Sequence, residues 1–266
     1  MLRREEIKTS NGWLVVTGSR PAARCRLICF SPAGTGAASF RGWSELAPPW
    51  LEVCTVQLPG RETRLREAPI GGLDQLVPQL AAAIRPALDR PFAVYGHSLG
   101  SIVAFETMRL LRREGGPLPC AFFAGASRPP QLPWPDPPVR DLPDRALLEE
   151  VNRRYDSVPA VVMAEAELCA LLTPALRADM SLIETYRYQP EMPFEFPIVA
   201  FGGNADRKVG SADLAKWQEQ TLGAFELRHF ADGHLFLVPR RQELMAAITA
   251  VLDRVLAVVT DGTGRR

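Results

Sequence analysis

A serine hydroxyl becomes a nucleophile when a base can take its proton and a third group orients that base. Ser98 lies in Gly96-His97-Ser98-Leu99-Gly100, with a short apolar run over residues 92–95 before it and Ile102, Val103, Phe105, Glu106 and Leu110 at helical spacing after it. Strand, sharp turn and helix put Ser98 at the apex, and a glycine two residues to either side lets strand and helix approach. Such a turn exposes the hydroxyl and sets the first amides of the helix beside it. The motif alone arises by chance in roughly one chain in ten of this length, given ordinary glycine usage. Its partners must therefore decide between a nucleophile and a serine that merely caps a helix.

The chain has three histidines. His97 is inside the turn and is expected to point into the scaffold. His229 ends a predicted strand over residues 225–230. His234 sits in Ala231-Asp232-Gly233-His234-Leu235-Phe236-Leu237, a loop between the last predicted strand and the last predicted helix. That is where a strand–turn–helix serine needs its base. The acid should follow the strand near residue 200, and Asp206 is the one carboxylate in Gly203-Asn204-Ala205-Asp206-Arg207-Lys208-Val209. Asp232 competes, but two residues from His234 it reads as a turn residue. The order Ser98, Asp206, His234 suits this scaffold. An oxyanion needs two amides: Leu99 follows the nucleophile, and Ala33, in the small-residue loop Pro32-Ala33-Gly34, is the expected second donor, since Pro32 has no N–H.

These loops need a frame. Strands are predicted at residues 14–17 (an edge), 24–30, 51–57, 92–95, 120–124, 196–201 and 225–230, and helices at 40–46, 73–88, 98–114, 212–221 and 243–258, with 260–266 a frayed tail. The alternation predicts an α/β fold with a mostly parallel, doubly wound sheet. Residues 128–193 break the rhythm with 11 of the 24 prolines and helical patterns at 144–154 and 164–186. An insertion this long predicts a helical lid ahead of the acid-bearing strand, over the strand ends where open α/β sheets bind ligands. The expected division is a core of residues 1–127 and 194–266 and a lid of residues 128–193, with the lid more mobile than the sheet.

Composition excludes several function classes. With 266 residues, 47% hydrophobic, 23% charged and a formal net charge of +1, nothing favours nucleic acid or an anionic membrane. No run approaches the roughly 20 apolar residues of a membrane span. The first residues, Met1-Leu2-Arg3-Arg4-Glu5-Glu6, lack the apolar segment of a signal peptide. Cys25, Cys29, Cys54, Cys120 and Cys169 show no metal-site spacing and read as small buried apolar residues in a reducing cytoplasm. The expectation is a cytoplasmic monomer that needs neither metal nor cofactor.

Several segments resemble the type II thioesterases, free-standing editing enzymes of polyketide and nonribosomal peptide synthases. Phe30-Ser31-Pro32-Ala33-Gly34-Thr35 with Phe40 and Trp43 resembles their F-P-H-A-G-G…F…W stretch. Val56 to Glu62 with Arg64 matches V-Q-L-P-G-R-E-x-R, and Gly96 to Gly100 with Ala104-Phe105-Glu106 matches G-H-S-[ML]-G…A-F-E. Leu172 to Asp179 and Glu184-Thr185-Tyr186 look like L-P-A-L-R-A-D and E-T-Y. The likeness runs over residues 24–255. Departures are Ser31-Pro32 for Pro-His, Thr35 for the second glycine, and Leu235 for a Phe.

The resemblance implies an α/β-hydrolase fold and hydrolysis of acyl thioesters held on the phosphopantetheine arm of an acyl or peptidyl carrier protein. Arg61, Arg64 and Arg66 are then candidates to flank the mouth that receives an acidic carrier, or else to brace their own loop. A carboxylesterase or small-amide hydrolase acting on free substrates would use the same triad. A silent binding protein on this scaffold would not need one.

Overall fold

The computed structural model describes residues 6–8 and 12–263. Alternating burial builds the sheet. Along β3 (Cys25–Phe30), Cys25, Leu27 and Cys29 enter one apolar core while Ile28 and Phe30 enter another. Along β5 (Phe92–His97), Ala93 and Tyr95 separate from Phe92 and Val94 in the same way. A period of two with both faces covered is the pattern of a parallel sheet between helical layers.

The other strands are β1 (Glu6–Lys8), β2 (Leu14–Thr17), β4 (Leu51–Val56), β6 (Phe122–Gly125), β7 (Ile198–Gly203) and β8 (Phe225–Phe230). They lie in the order β1-β2-β4-β3-β5-β6-β7-β8. All pairings from β4 to β8 are parallel, and β1 and β2 join antiparallel. One face is covered by α2 (Leu73–Ile84), α3 (Leu99–Arg113) and α7 (Ser211–Ala215), the other by α1 (Trp43–Leu46) and α8 (Arg241–Thr263). This is the α/β-hydrolase arrangement.

Four local expectations need correction. The strand at 14–17 is not an edge, because three residues of β1, too short to carry a pattern, pair with its outer side. The helix expected over residues 40–46 is split into a 3-10 turn, Ala37–Phe40, and α1, because Gly42 between them adopts φ 85°. The helix expected to reach residue 88 ends as α2 at Ile84 and tightens to a 3-10 turn at Arg85–Ala87, where Pro86 cannot donate to the α-helical ladder. Helix α8 continues to Thr263 through the start of the expected frayed tail, since each added residue needs only one more backbone bond. Residues 264–266 lie outside the described residues. All five cysteines are free, with Cys25, Cys29 and Cys54 buried and Cys120 and Cys169 half-buried.

Between β6 and β7 the chain makes α4 (Asp144–Tyr155), α5 (Ala160–Ala164) and α6 (Ala166–Thr185). Val139, Leu147, Leu148, Val151, Leu176 and Met180 form a small core of their own. The three helices are not fastened alike. Buried Asp179 of α6 pairs with Arg61 of the main body. Glu184 accepts the Val139 N–H at 2.6 Å, and the Tyr186 hydroxyl donates to Glu106 of α3 at 2.5 Å. Helix α5 instead exposes Val161. Amides of residues 144–164 are therefore expected to exchange with solvent faster than those of residues 173–184, which should approach the sheet in protection. Hydrogen exchange resolved by residue checks this, and equal rates across the three helices would contradict it.

Candidate active site

Ser98 takes φ 53° and ψ −120°, an unfavourable backbone for a residue with a side chain. The surroundings hold it there. Its N–H donates to Gly125 O at 2.7 Å, and the Ser101 N–H donates to Ser98 O at 3.0 Å. A Cβ at Gly96 would overlap the Ser101 backbone, and one at Gly100 would overlap the carbonyls of Phe30 and Ser31. Only hydrogen fits at either position, so the spacing that the sequence displays is a packing requirement.

Three loops at the ends of β5, β7 and β8 bring the remaining groups in. The Ser98 hydroxyl lies 3.0 Å from His234 Nε2, and His234 Nδ1 lies 2.8 Å from Asp206 Oδ2. Asp206 as a carboxylate can only accept, so Nδ1 carries the proton and Nε2 is left to accept from Ser98. Asp206 Oδ1 accepts the amides of Lys208 (2.8 Å) and Val209 (3.2 Å), which fix the carboxylate from behind. Burial works to raise the Asp206 pKa; the His234 hydrogen bond and charge, with the two amides, overcome it and hold the carboxyl below its ordinary value. Asp232 takes no part. It accepts the Gly233 N–H and pairs with Arg240 at 3.2 Å, as a turn residue would. His229 is exposed and meets Ser211.

His97 supports the base from below. Its Nε2–H donates to the backbone carbonyl of His234 (2.8 Å), and the Tyr95 hydroxyl donates to its Nδ1 (2.7 Å). Desolvation, with the charge of His234, pushes the His97 pKa down to about 3, so the ring is neutral throughout the working range. From above, the Tyr155 ring of α4 lies 4.9 Å from the His234 ring. Neither contact has a signal in the sequence: a tyrosine just past a helix predicted over 144–154 looks like any residue at a helix end.

Leu99 opens α3 and is buried, so its free helix-start amide lies beside Ser98. Ala33 lies in the loop after β3, half-buried between the main core and the small core of the inserted segment. A cavity of about 650 Å³ opens over Ser98, with Leu99 and His234 at its base and Trp134, Tyr155 and Ile183 on the inserted segment. Ala33 does not line it. No cluster of potential metal ligands occurs among the described residues, and no described helix is long and apolar enough to cross a membrane.

The docking reading of Arg64 needs correction. Its guanidinium lies 4.1 Å from the Trp13 ring, donates to Glu67 at 2.8 and 2.6 Å, and donates to Gln57 O at 3.0 Å. Arg61 is likewise buried, and Arg66 alone is exposed. A guanidinium stacked on an aromatic ring that is distant in sequence is used here as a brace.

A sheet of this order, with a serine elbow after β5 and polar groups delivered after β7 and β8, defines an α/β-hydrolase. A family model described as "Thioesterase domain" matches residues 25–252. The gramicidin S biosynthesis protein GrsT of Aneurinibacillus migulanus is 38% identical over 251 residues, 94% of this chain and 98% of that protein. RedJ, the thioesterase of the prodiginine biosynthetic pathway in Streptomyces coelicolor, is 36% identical, with a TM-score of 0.80 over 86% of this chain and 91% of its own. The type II thioesterase BorB of the borrelidin biosynthetic cluster is 31% identical, with a TM-score of 0.79 over 91% and 97%. The chain belongs to the thioesterase domain family, as the sequence resemblance implied.

Two outcomes follow from these contacts. His97 resists protonation in the fold but titrates near 6.5 once unfolded, so the unfolded chain binds more protons below that pH. His97 therefore withdraws stability progressively as pH falls from about 6.5. His97→Asn should be less stable at pH 7, with a shallower loss of melting temperature between pH 6.5 and 4.5; parallel curves would refute the assignment. Arg64→Glu should lower the melting temperature by several degrees, whereas Arg66→Glu should leave it nearly unchanged.

Proposed function

We propose that this protein is a type II thioesterase that hydrolyses acyl groups from the phosphopantetheine arm of acyl or peptidyl carrier proteins. It would thereby clear aberrant acyl chains from a polyketide or nonribosomal peptide synthase. The observation that carries the reading is the continuous path from Ser98 through His234 to Asp206 at the floor of a partly open cavity. Relatives named for gramicidin S, prodiginine and borrelidin biosynthesis support the substrate class.

In this mechanism Ser98 Oγ attacks the thioester carbonyl while His234 Nε2 takes its proton, and Asp206 stabilises the imidazolium and its orientation. Negative charge on the former carbonyl oxygen is met by the amides of Leu99 and Ala33. The intermediate collapses with cleavage of the C–S bond, and His234 returns the proton to the leaving pantetheine sulfur. Water then enters, gives a proton to His234 and attacks the acyl-serine ester; collapse restores Ser98 and releases the acid. Residues 128–193 serve as the lid that shapes the acyl cavity and limits access by bulk water. The protein acts as a cytoplasmic monomer on its carrier-bound substrate.

Ser98→Ala should lower turnover at least about a thousandfold with an unchanged melting temperature, since it removes a hydroxyl and no packing. Asp206→Asn should cost a comparable factor by misorienting His234, and Asp232→Asn only a few-fold. Steady-state hydrolysis of an acyl-carrier-protein thioester measures all three. Retention of a tenth of wild-type activity by Ser98→Ala, or a reversed order of the two aspartates, would sink the residue assignment. Faster turnover of simple nitrophenyl esters than of carrier-bound thioesters would instead indicate a carboxylesterase.

A further inference from the structure

The amide at Ala33 is only useful if it is aimed, because an oxyanion donor must lie within a few tenths of an ångström of its target position. Its own segment cannot aim it. Pro32, Ala33, Gly34 and Thr35 are small residues after the end of β3, joined by Thr35 N–H to Pro32 O at 3.3 Å and the Thr35 hydroxyl to the same oxygen at 2.9 Å. Gly34 stands at φ 72°. The Ser31 hydroxyl adds a long bond to Thr35 O (3.3 Å) and the Ser39 hydroxyl one to the Thr35 hydroxyl (2.9 Å), but none of these reaches the Gly34 amide beside Ala33, which is held from elsewhere in the chain.

Asp179 Oδ2, on the inserted helix α6, accepts the Gly34 N–H at 2.7 Å. Arg61 Nη1 donates to Thr35 O at 3.1 Å. The two side chains also hold each other by two parallel bonds, Nη1 to Oδ2 at 2.6 Å and Nη2 to Oδ1 at 2.8 Å. Asp179 is wholly buried and Arg61 nearly so. Leu176, one turn earlier on α6, presses on Gly34. A single ion pair therefore grips the turn at two backbone groups on the C-terminal side of Ala33.

A buried ion pair is a poor device for stability alone, because an apolar pair of similar volume often serves as well or better. An apolar pair could not accept the Gly34 N–H or donate to Thr35 O. We infer that Asp179 and Arg61 are positioning residues that aim the Ala33 amide at the oxyanion, so that the inserted helix α6 is the outer support of the oxyanion hole. The inference rests on the reading of Ser98 as nucleophile. It gives a chemical role to two residues that touch neither the substrate nor the Ser98–His234–Asp206 path.

The test separates aim from stability. Arg61→Met/Asp179→Leu replaces the pair by apolar groups, and Asp179→Asn keeps the shape without the charge. Each is measured for melting temperature, for kcat and KM on an acyl-pantetheine thioester, and for the inhibition constant of an acyl trifluoromethyl ketone. That ketone adds to Ser98 Oγ, with the Ser98 proton passing to His234, and leaves an oxyanion where the tetrahedral intermediate has one. A matching acyl amide, which forms no oxyanion, reports ground-state binding. The double variant should melt near the wild-type temperature yet lose about 10- to 100-fold in kcat at little-changed KM, with ketone affinity falling by the same factor and amide affinity unchanged. Recovery of kcat together with the melting temperature would overturn the proposal, as would ketone and amide affinities that fall together. If the double variant does not fold, Asp179→Asn decides by the same comparison of ketone with amide. Ser98→Ala is run alongside: if it still forms the ketone adduct or turns over, the reading of the site itself fails. If it does neither while ketone affinity in the pair variants is unchanged, only the positioning role fails.

Discussion

The constraint on which the structure depends is the close crossing of β5, β3 and α3 at Ser98. A left-handed serine between two positions that admit no Cβ fixes the angle at which α3 leaves the sheet. It also fixes which strand end faces the cavity, because the loops after β3, β7 and β8 are all placed relative to that helix start. His97, the residue before the serine, extends the constraint to the base by holding the backbone carbonyl of His234. Ser98 and His234 are thus joined twice, once through side chains and once through the scaffold. A displacement of one drags the other.

Much of this was legible in the sequence, and for a definite reason. Ser98, Asp206 and His234 each sit in short loops bounded by strong apolar runs, where small residues and single polar groups leave few alternatives. Period-two burial in β3 and β5 made the sheet readable. What escaped reading was decided by contacts distant in sequence. Trp13 lies 51 residues before Arg64, and nothing in either segment announces that their side chains stack. Tyr155 reaches His234 only because the inserted helices fold back over β8. The edge position of β2 was misread because three residues of β1 are too few to show a pattern.

The inserted segment is fastened unevenly. Tyr155 of α4 lies against His234 over the cavity and α5 exposes Val161, whereas α6 is tied to the body through Asp179 and, just past its end, the Tyr186–Glu106 contact. Moving the whole segment as one body would have to separate the buried Arg61–Asp179 ion pair, which is strongly unfavourable.

The chain order of the three polar groups also matters in time. The elbow is made by residues close together in sequence, but Asp206 and His234 arrive with the last two strands of the sheet. During synthesis from the N-terminus, the turn bearing Ser98 leaves the ribosome more than a hundred residues before His234 does. Without His234 the serine hydroxyl is an ordinary alcohol, inert toward thioesters. On the proposed reading, a growing chain carries no hydrolytic activity until β8 and α8 have joined the sheet.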